Sequence, residues 1–314
     1  MKTLEQAYQE FNFDQFLAEQ LVGTPQAINA YVECCERHLG SNKIALIWEG
    51  KNGESVEWTF EQLADASGKL AHYFTSLGLK AGDCIAGLLP RTPELLITIL
   101  ATWRMGAIYQ PLFTAFESKA IEHRINTAKT RLIVTNEEQR PKLNSVDVLH
   151  ILTVYQPNTL SQQDDDFWTE LIKQSSVFEP VMQTFKDDFL MMFTSGTTGL
   201  AKSVPVPLKA VLAFKGYMTY AVDLRAEDSF WNLADPGWAY GLYYGITGPL
   251  SLGHSIIMDE RAFSVDHAVQ IIKKYKVSNL TGSPTAFRMF FGFKEKFDPS
   301  IKAHLRVVSS AGEP

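Results

Sequence analysis

The chain has 314 residues, 29 basic and 35 acidic, for a formal net charge of −6. At about 100–200 residues per domain this leaves room for two packed units. With 46% apolar and 20% charged residues, disorder is excluded as the general state, and the mild acidity argues against a nucleic-acid partner, which would need a basic face.

In chain order, the opening MKTLEQAYQEFNFDQF carries acids where a signal peptide would need an apolar stretch. Cys34 and Cys35 are adjacent and Cys84 stands alone, an odd set that fits free thiols in the cytoplasm and not a disulfide framework. Ile44 to Trp48 reads as a short strand. Thr59 opens a helix, with Gln62 completing a capping box; Leu63, Ala66, Leu70, Phe74 and Leu77 recur at helical spacing, and Gly78 stops it. Cys84 to Leu89 is a buried strand. Thr92-Pro93-Glu94, a capping residue before a proline, starts a helix that closes at Gly106. Its apolar window, Leu95 to Trp103, lies between Arg91 and Arg104 and is too short to cross a bilayer, which takes about 20 apolar residues. No transmembrane segment is expected.

A strand follows at Ala107 to Leu112, a polar-faced helix at Ser118 to Lys129 and a strand at Arg131 to Thr135. This repetition predicts an α/β fold, a parallel sheet with helices on both faces. Another strand is expected near Val148 to Val154. The run Asp164-Asp165-Asp166 lacks the glycine and spaced ligands of a calcium loop and reads as a solvated helix start before Phe167-Trp168. The alternation resumes with a helix at Leu208 to Ala221, a strand at Phe230 to Ala234 and a helix at Ala239 to Leu252. Strand Ile256 to Met258, helix Val265 to Tyr275, strand Val277 to Leu280, a helix from Ser283-Pro284 and strand Leu305 to Ser309 complete the series. That strand runs straight into Ala311-Gly312-Glu313-Pro314 and wants a continuation, so the chain is expected to be the N-terminal part of a longer protein. No C-x-x-C or H-E-x-x-H spacing exists, and no metal ligand is assigned.

The densest chemical signal is Phe189-Leu-Met-Met-Phe193 followed by Thr194-Ser195-Gly196-Thr197-Thr198-Gly199-Leu200-Ala201-Lys202-Ser203. Glycines let backbone N–H groups turn toward an anion, hydroxyls add rotatable donors, and lysine adds a full positive charge. A polyphosphate is the natural guest. The Walker pattern is one glycine short here, with Ala201 in the way. A Walker lysine also opens a helix, whereas Val204-Pro205-Val206-Pro207 forbids one, so Lys202 is expected on a loop leading into extended chain.

The segment resembles the signature loop of the adenylate-forming (AMP-binding) enzymes, the superfamily of acyl-CoA synthetases, luciferases and peptide-synthetase adenylation domains. Nine of the eleven positions in their pattern match Phe193 to Ser203; the departures are Ala201 for proline and Ser203 for glycine. Asp235-Pro-Gly-Trp238 resembles the Asp-x-Gly-Trp segment of acetyl- and medium-chain acyl-CoA synthetases, and Ser283-Pro-Thr-Ala-Phe-Arg288 their Pro-Thr-x-x-Arg helix start. Gly312-Glu313-Pro314 resembles their adenine-contacting turn.

The resemblance implies two stacked parallel-sheet subdomains of an incomplete AMP-binding domain over residues 31–314, after an N-terminal helical extension at 1–30. One subdomain would run from about 60 to 190; the second would combine about 31–59 with 205–314; the phosphate loop, 193–203, would join them. It further implies ATP-dependent activation of a short- or medium-chain carboxylic acid to an acyl-adenylate, with transfer to coenzyme A. Thr194, Ser195, Gly196, Thr197, Thr198, Gly199 and Lys202 would hold the phosphates, with Thr198 and Lys202 serving the chemistry. Gly312, Glu313 and Pro314 would line the adenine pocket. Trp238 and Tyr243, with Tyr240 and Tyr244, would wall the acid pocket, and the magnesium-holding glutamate would lie beyond Pro314. Asp235 fits a helix cap as well as a ligand, and Arg288 fits a structural place in its helix. Three readings stay open beside this one: an adenylating domain that hands an aryl or amino acid to a carrier thiol, a phosphate-loop hydrolase, and a non-enzymatic nucleotide-binding chain.

Overall fold

The computed structural model describes residues 3–156, 159, 163–194, 200–293, 295 and 299–312. Helices α1 (Leu4–Glu10) and α2 (Phe13–Gln20) are capped by the side chains of Thr3 and Asn12, and α3 (Ala30–Cys34) by Asn29. Strands β1 (Ile44–Glu49) and β2 (Ser55–Thr59) form a hairpin that leads into α4 (Phe60–Ser76). Next come β3 (Cys84–Leu88), α5 (Pro93–Arg104), β4 (Ile108–Pro111), α6 (Ser118–Ala128) and β5 (Leu132–Asn136). After β6 (His150–Val154) and β7 (Asp165–Asp166), α7 (Phe167–Leu171) precedes β8 (Asp188–Thr194) and β9 (Lys202–Pro207). The remainder is α8 (Ala210–Tyr220), β10 (Phe230–Asn232), α9 (Ala239–Leu242), α10 (Gly248–Ser251) and β11 (Ile256–Asp259). It ends with α11 (Val265–Lys274), β12 (Asn279–Gly282), α12 (Pro284–Gly292), α13 (Pro299–His304) and β13 (Val307–Ser310).

Among the described residues the strands form three sheets. The largest has the order β7-β6-β5-β3-β4-β8-β9, parallel throughout except for the β8–β9 edge. Parallel neighbours need crossovers, and α5 and α6 supply them. The second sheet, β10-β12-β13, is parallel; the third, β11-β1-β2, ends in the antiparallel β1–β2 pair. The fold is therefore α/β with parallel sheets, and the strands outside the seven-stranded sheet divide between two short ones.

The main core lies where α4 and α5 pack on the large sheet. Every residue of α5 but Glu94 is buried, and its Trp103 meets Phe189 of β8 at 5.5 Å between ring centres. A smaller core under β10 and β12 gathers Trp231, Ile272, Leu280 and Phe290.

Four local expectations change. Thr92 makes no side-chain cap bond; Pro93 alone sets the start of α5. The Asp164–Asp166 run starts a helix before Phe167 as expected, with Asp166 as its cap, but its other two carboxylates are tied to partners instead of standing free in solvent. Asp164 is half-buried against Arg140, with Nη2 to Oδ1 at 2.9 Å; Asp165 accepts the Tyr73 hydroxyl at 2.7 Å, and Asp166 caps the helix at the Thr169 amide. Lys202 stands not in a loop but as the first residue of β9. The helix expected from Ala239 to Leu252 is interrupted by a π-turn, Tyr243–Thr247, between α9 and α10.

Candidate functional site

Strand β8 runs parallel to β4 inside the large sheet and pairs on its other side with β9. Its carboxyl end therefore shares one edge with those of β3, β4 and β5, the edge where open α/β sheets take ligands. Two prolines fit β9 because an edge strand has amides that need no ladder partner. Thr194 lies opposite Lys202 in the ladder, so a hydroxyl and an ammonium face each other at the mouth of the connecting segment. Lys202 is exposed. Ser195, Gly196, Thr197, Thr198 and Gly199 fall outside the described residues.

The helix beside this hairpin is α6. His123 Nε2 lies 2.8 Å from the Ala201 carbonyl oxygen. The Arg124 guanidinium sits 4.1 Å from the centre of the Phe116 ring and 5.6 Å from that of Phe193, and burial pulls its pKa down.

A cavity of about 400 Å³ is lined by Asp235, Trp238, Tyr240, Ser283, Thr285 and Gly312, among others. Trp238 packs against Phe113 at 5.7 Å and Phe116 at 5.5 Å. This contact requires glycine at 237, where an added Cβ would stand 2.7 Å from the Phe113 Cα. Gly312 holds φ at +115°, in the region that favours glycine. Asp235 Oδ1 accepts the Gly237 amide at 2.8 Å, a turn two residues long, while α9 starts only after Trp238. Burial raises the Asp235 pKa, with the nearby Arg91 charge opposing. Ser283 caps α12 at the Ala286 amide. Glu313 and Pro314 fall outside the described residues.

The tyrosines divide. Tyr240 faces the cavity, but Tyr243 does not line it: its ring stacks on Phe214 at 4.4 Å, and burial pushes its hydroxyl up to about 12. Tyr244 stacks on Tyr217 at 4.0 Å. Arg288 is exposed on α12.

The model of the AMP-binding enzyme family matches residues 34–314. The chain belongs to the AMP-binding enzymes. It is similar to the acetyl-coenzyme A synthetase of Cronobacter sakazakii, 30% identical over 91% of this chain and 48% of that protein. The acetyl-coenzyme A synthetase of Bacillus subtilis is 28% identical over 100% of this chain and 56% of its own length. The crystal structure of a Brucella canis acyl-CoA synthetase superposes with a TM-score of 0.94 at 46% identity, covering 100% of this chain and 58% of that one. The chain thus spans about half the length of the curated relatives it matches.

In this member of the AMP-binding enzyme family several cavity-lining residues carry no motif that sequence reasoning could have found. Arg91, Phe113 and Glu138 line a second cavity of about 470 Å³, which adjoins the first through Leu233, Asp235 and Phe263. Arg91 is fixed by its own carbonyl, which accepts the Trp48 indole N–H at 3.1 Å, and by donating to the Arg261 carbonyl at 3.0 Å. Their common signal is position: each follows the carboxyl end of a buried strand by a few residues. His123 and Arg124 carry no such signal. Among the described residues no group of three or more His, Cys, Asp or Glu is placed to hold a metal, and no helix is long and apolar enough to cross a membrane.

Proposed function

We propose that this chain carries the nucleotide and acid sites of an ATP-dependent acyl-CoA synthetase acting on a short- or medium-chain carboxylic acid. The observation that carries the reading is the Thr194–Lys202 pair at the carboxyl edge of the sheet, next to Phe193, which is linked through Arg124 and Phe116 to the Trp238 that lines the cavity. A hydroxyl and an ammonium on a strand-edge hairpin suit the charge of a nucleotide polyphosphate, and Gly312 and its neighbours would face the adenine.

The acid's carboxylate oxygen would attack the α-phosphorus of ATP, and the bond from that phosphorus to the bridging oxygen would break to release pyrophosphate. Lys202 and the loop hydroxyls, Thr198 among them, would stabilise the charge that gathers on the leaving group. The coenzyme A sulfur would then attack the acyl carbon as AMP departs. Trp238 and Tyr240 would shape the acid's seat, with Tyr243 stiffening the wall from behind. Magnesium accompanies ATP in this reading, but the described residues offer no cluster for it and no step is assigned to it. The large sheet and the two small ones would be the two subdomains, joined by residues 193–203. Unpaired Cys34, Cys35 and Cys84 fit a cytoplasmic setting.

The test is acid-dependent ATP–pyrophosphate exchange in the full-length protein. Lys202→Ala should slow it by about 10²–10³-fold, the usual effect of removing one transition-state donor. An unchanged rate would remove the assignment.

A further inference from the structure

The two stems of the phosphate hairpin are held by different means. The incoming stem, Phe193-Thr194, belongs to β8, an interior strand of the sheet, with the Arg124 guanidinium 5.6 Å from the centre of the half-buried Phe193 ring. The outgoing stem begins an edge strand whose other side pairs with no strand among the described residues. Among the described residues the pairing of β8 with β9 runs to Thr194–Lys202, and the Ala201 carbonyl follows directly on it. Its partner is the His123 imidazole, 2.8 Å away. A carbonyl accepts, so Nε2 carries the proton in this tautomer. Neighbouring Arg124 donates Nη1 back to the Ala120 carbonyl at 2.8 Å, which fixes this turn of α6 as the anchor.

We propose that His123 is a positioning residue: by tying the Ala201 carbonyl to α6 it fixes where Lys202 presents its ammonium to a bound nucleotide. The inference rests on the nucleotide reading above. The physical need is local. Alanine at 201 leaves φ free where the resembled pattern has proline, and one hydrogen bond from a helix restricts that freedom. His123 touches no reacting atom in this arrangement; it acts through the backbone of the residue beside Lys202.

The experiment compares His123→Gln, His123→Asn and Lys202→Ala in this chain. Binding of magnesium–ATP is followed by calorimetry, and hydrogen exchange of the Lys202 and Ser203 amides is followed without nucleotide. Gln places an amide N–H near the position of Nε2, whereas Asn falls short. Asn should weaken ATP binding about three- to tenfold, the worth of one neutral hydrogen bond, and speed exchange at the outgoing stem. Gln should restore both, and thermal melting of the two variants should coincide, which a merely structural role would not produce. Equal behaviour of Asn and wild type, or equal impairment by Asn and Gln, overturns the proposal. If Lys202→Ala binds ATP normally, the nucleotide reading fails, and the exchange data still judge the His123 tie. If Lys202→Ala abolishes binding while His123→Asn changes nothing, the tie fails alone.

Discussion

Lys215 and Glu33 meet inside the protein: 3.0 Å separates Nζ from Oε2, and neither side chain reaches solvent. Glu33 also accepts Arg37 at 2.8 Å and the amides of Val22 and Gly23, while Lys215 and Arg37 both donate to the Gln20 carbonyl. One carboxylate thereby fastens the exit of α2 to α3 and α8. Burial pulls the Lys215 pKa down, and the Glu33 charge opposes it. Removing one partner leaves a buried charge uncompensated, so Glu33→Ala should cost about 3–5 kcal/mol. Glu33→Leu combined with Lys215→Met should cost less than Glu33→Leu alone, since no orphan ammonium remains. Urea titrations of the three variants check both statements.

Acid should unfasten a different corner. Burial alone would raise the Asp228 pKa, but hydrogen bonds from Arg306, Ser278 and the Arg225 amide outweigh it and hold the carboxyl at about 2. The folded value lies below the unfolded one of about 3.9. The contribution is therefore complete above the unfolded value and is lost as pH falls from about 4 to about 2. It should amount to on the order of 1–2 kcal/mol, allowing for solvent screening. Asp228→Asn should flatten the stability curve in that window and leave its slope near neutrality unchanged, as measured by urea midpoints across pH.

Two glycines should respond oppositely to alanine. At Gly241 an added Cβ would lie 2.8 Å from the Ala234 carbonyl oxygen and closer still to the Asp235 carbonyl, and backbone cannot move aside cheaply. Gly241→Ala should cost about 1–3 kcal/mol and disturb the turn that carries Trp238. Gly292, the last residue of α12, has nothing within 4 Å of the same position, so Gly292→Ala should be neutral or stabilising by up to about 1 kcal/mol. Calorimetric melting of the pair gives the comparison.

The thiols should be silent in the native protein. Burial pushes Cys34 and Cys84 up to about 12 and Cys35 further, and all three are buried. The thiolate is the reactive form. A disulfide reagent at pH 8 should find no rapidly reacting group until denaturant is added, and then all three; one fast thiol in the folded state would contradict the burial.

Short-range features were the readable ones. The capping box that starts α4 forms as expected, Thr59 accepting the Gln62 amide and Gln62 accepting the Thr59 amide, because both partners lie within one turn. The polar SVEWT segment that forms β2 shows no comparable signal, since it is an edge strand defined by pairing with β1. Asp164 looked solvated because its partner, Arg140, lies 24 residues earlier. In the site, the alternating prolines marked extended chain after Lys202, yet its pairing with Thr194 depends on a sheet that no local pattern encodes. Tyr240 and Tyr243, three residues apart, belong on one face of an α-helix; a wider turn begins at Tyr243, and the two rings part.

That wider turn has a further consequence. A wide turn takes up one surplus residue locally, so losing one codon between Tyr243 and Thr247 would close it to an ordinary helical turn. Side chains on the flanking segments would keep their present faces, because the turn holds its extra residue locally. Chain length can therefore change at this point without turning Tyr240 away from the cavity; the rings that would shift are Tyr243 and Tyr244, inside the wide turn.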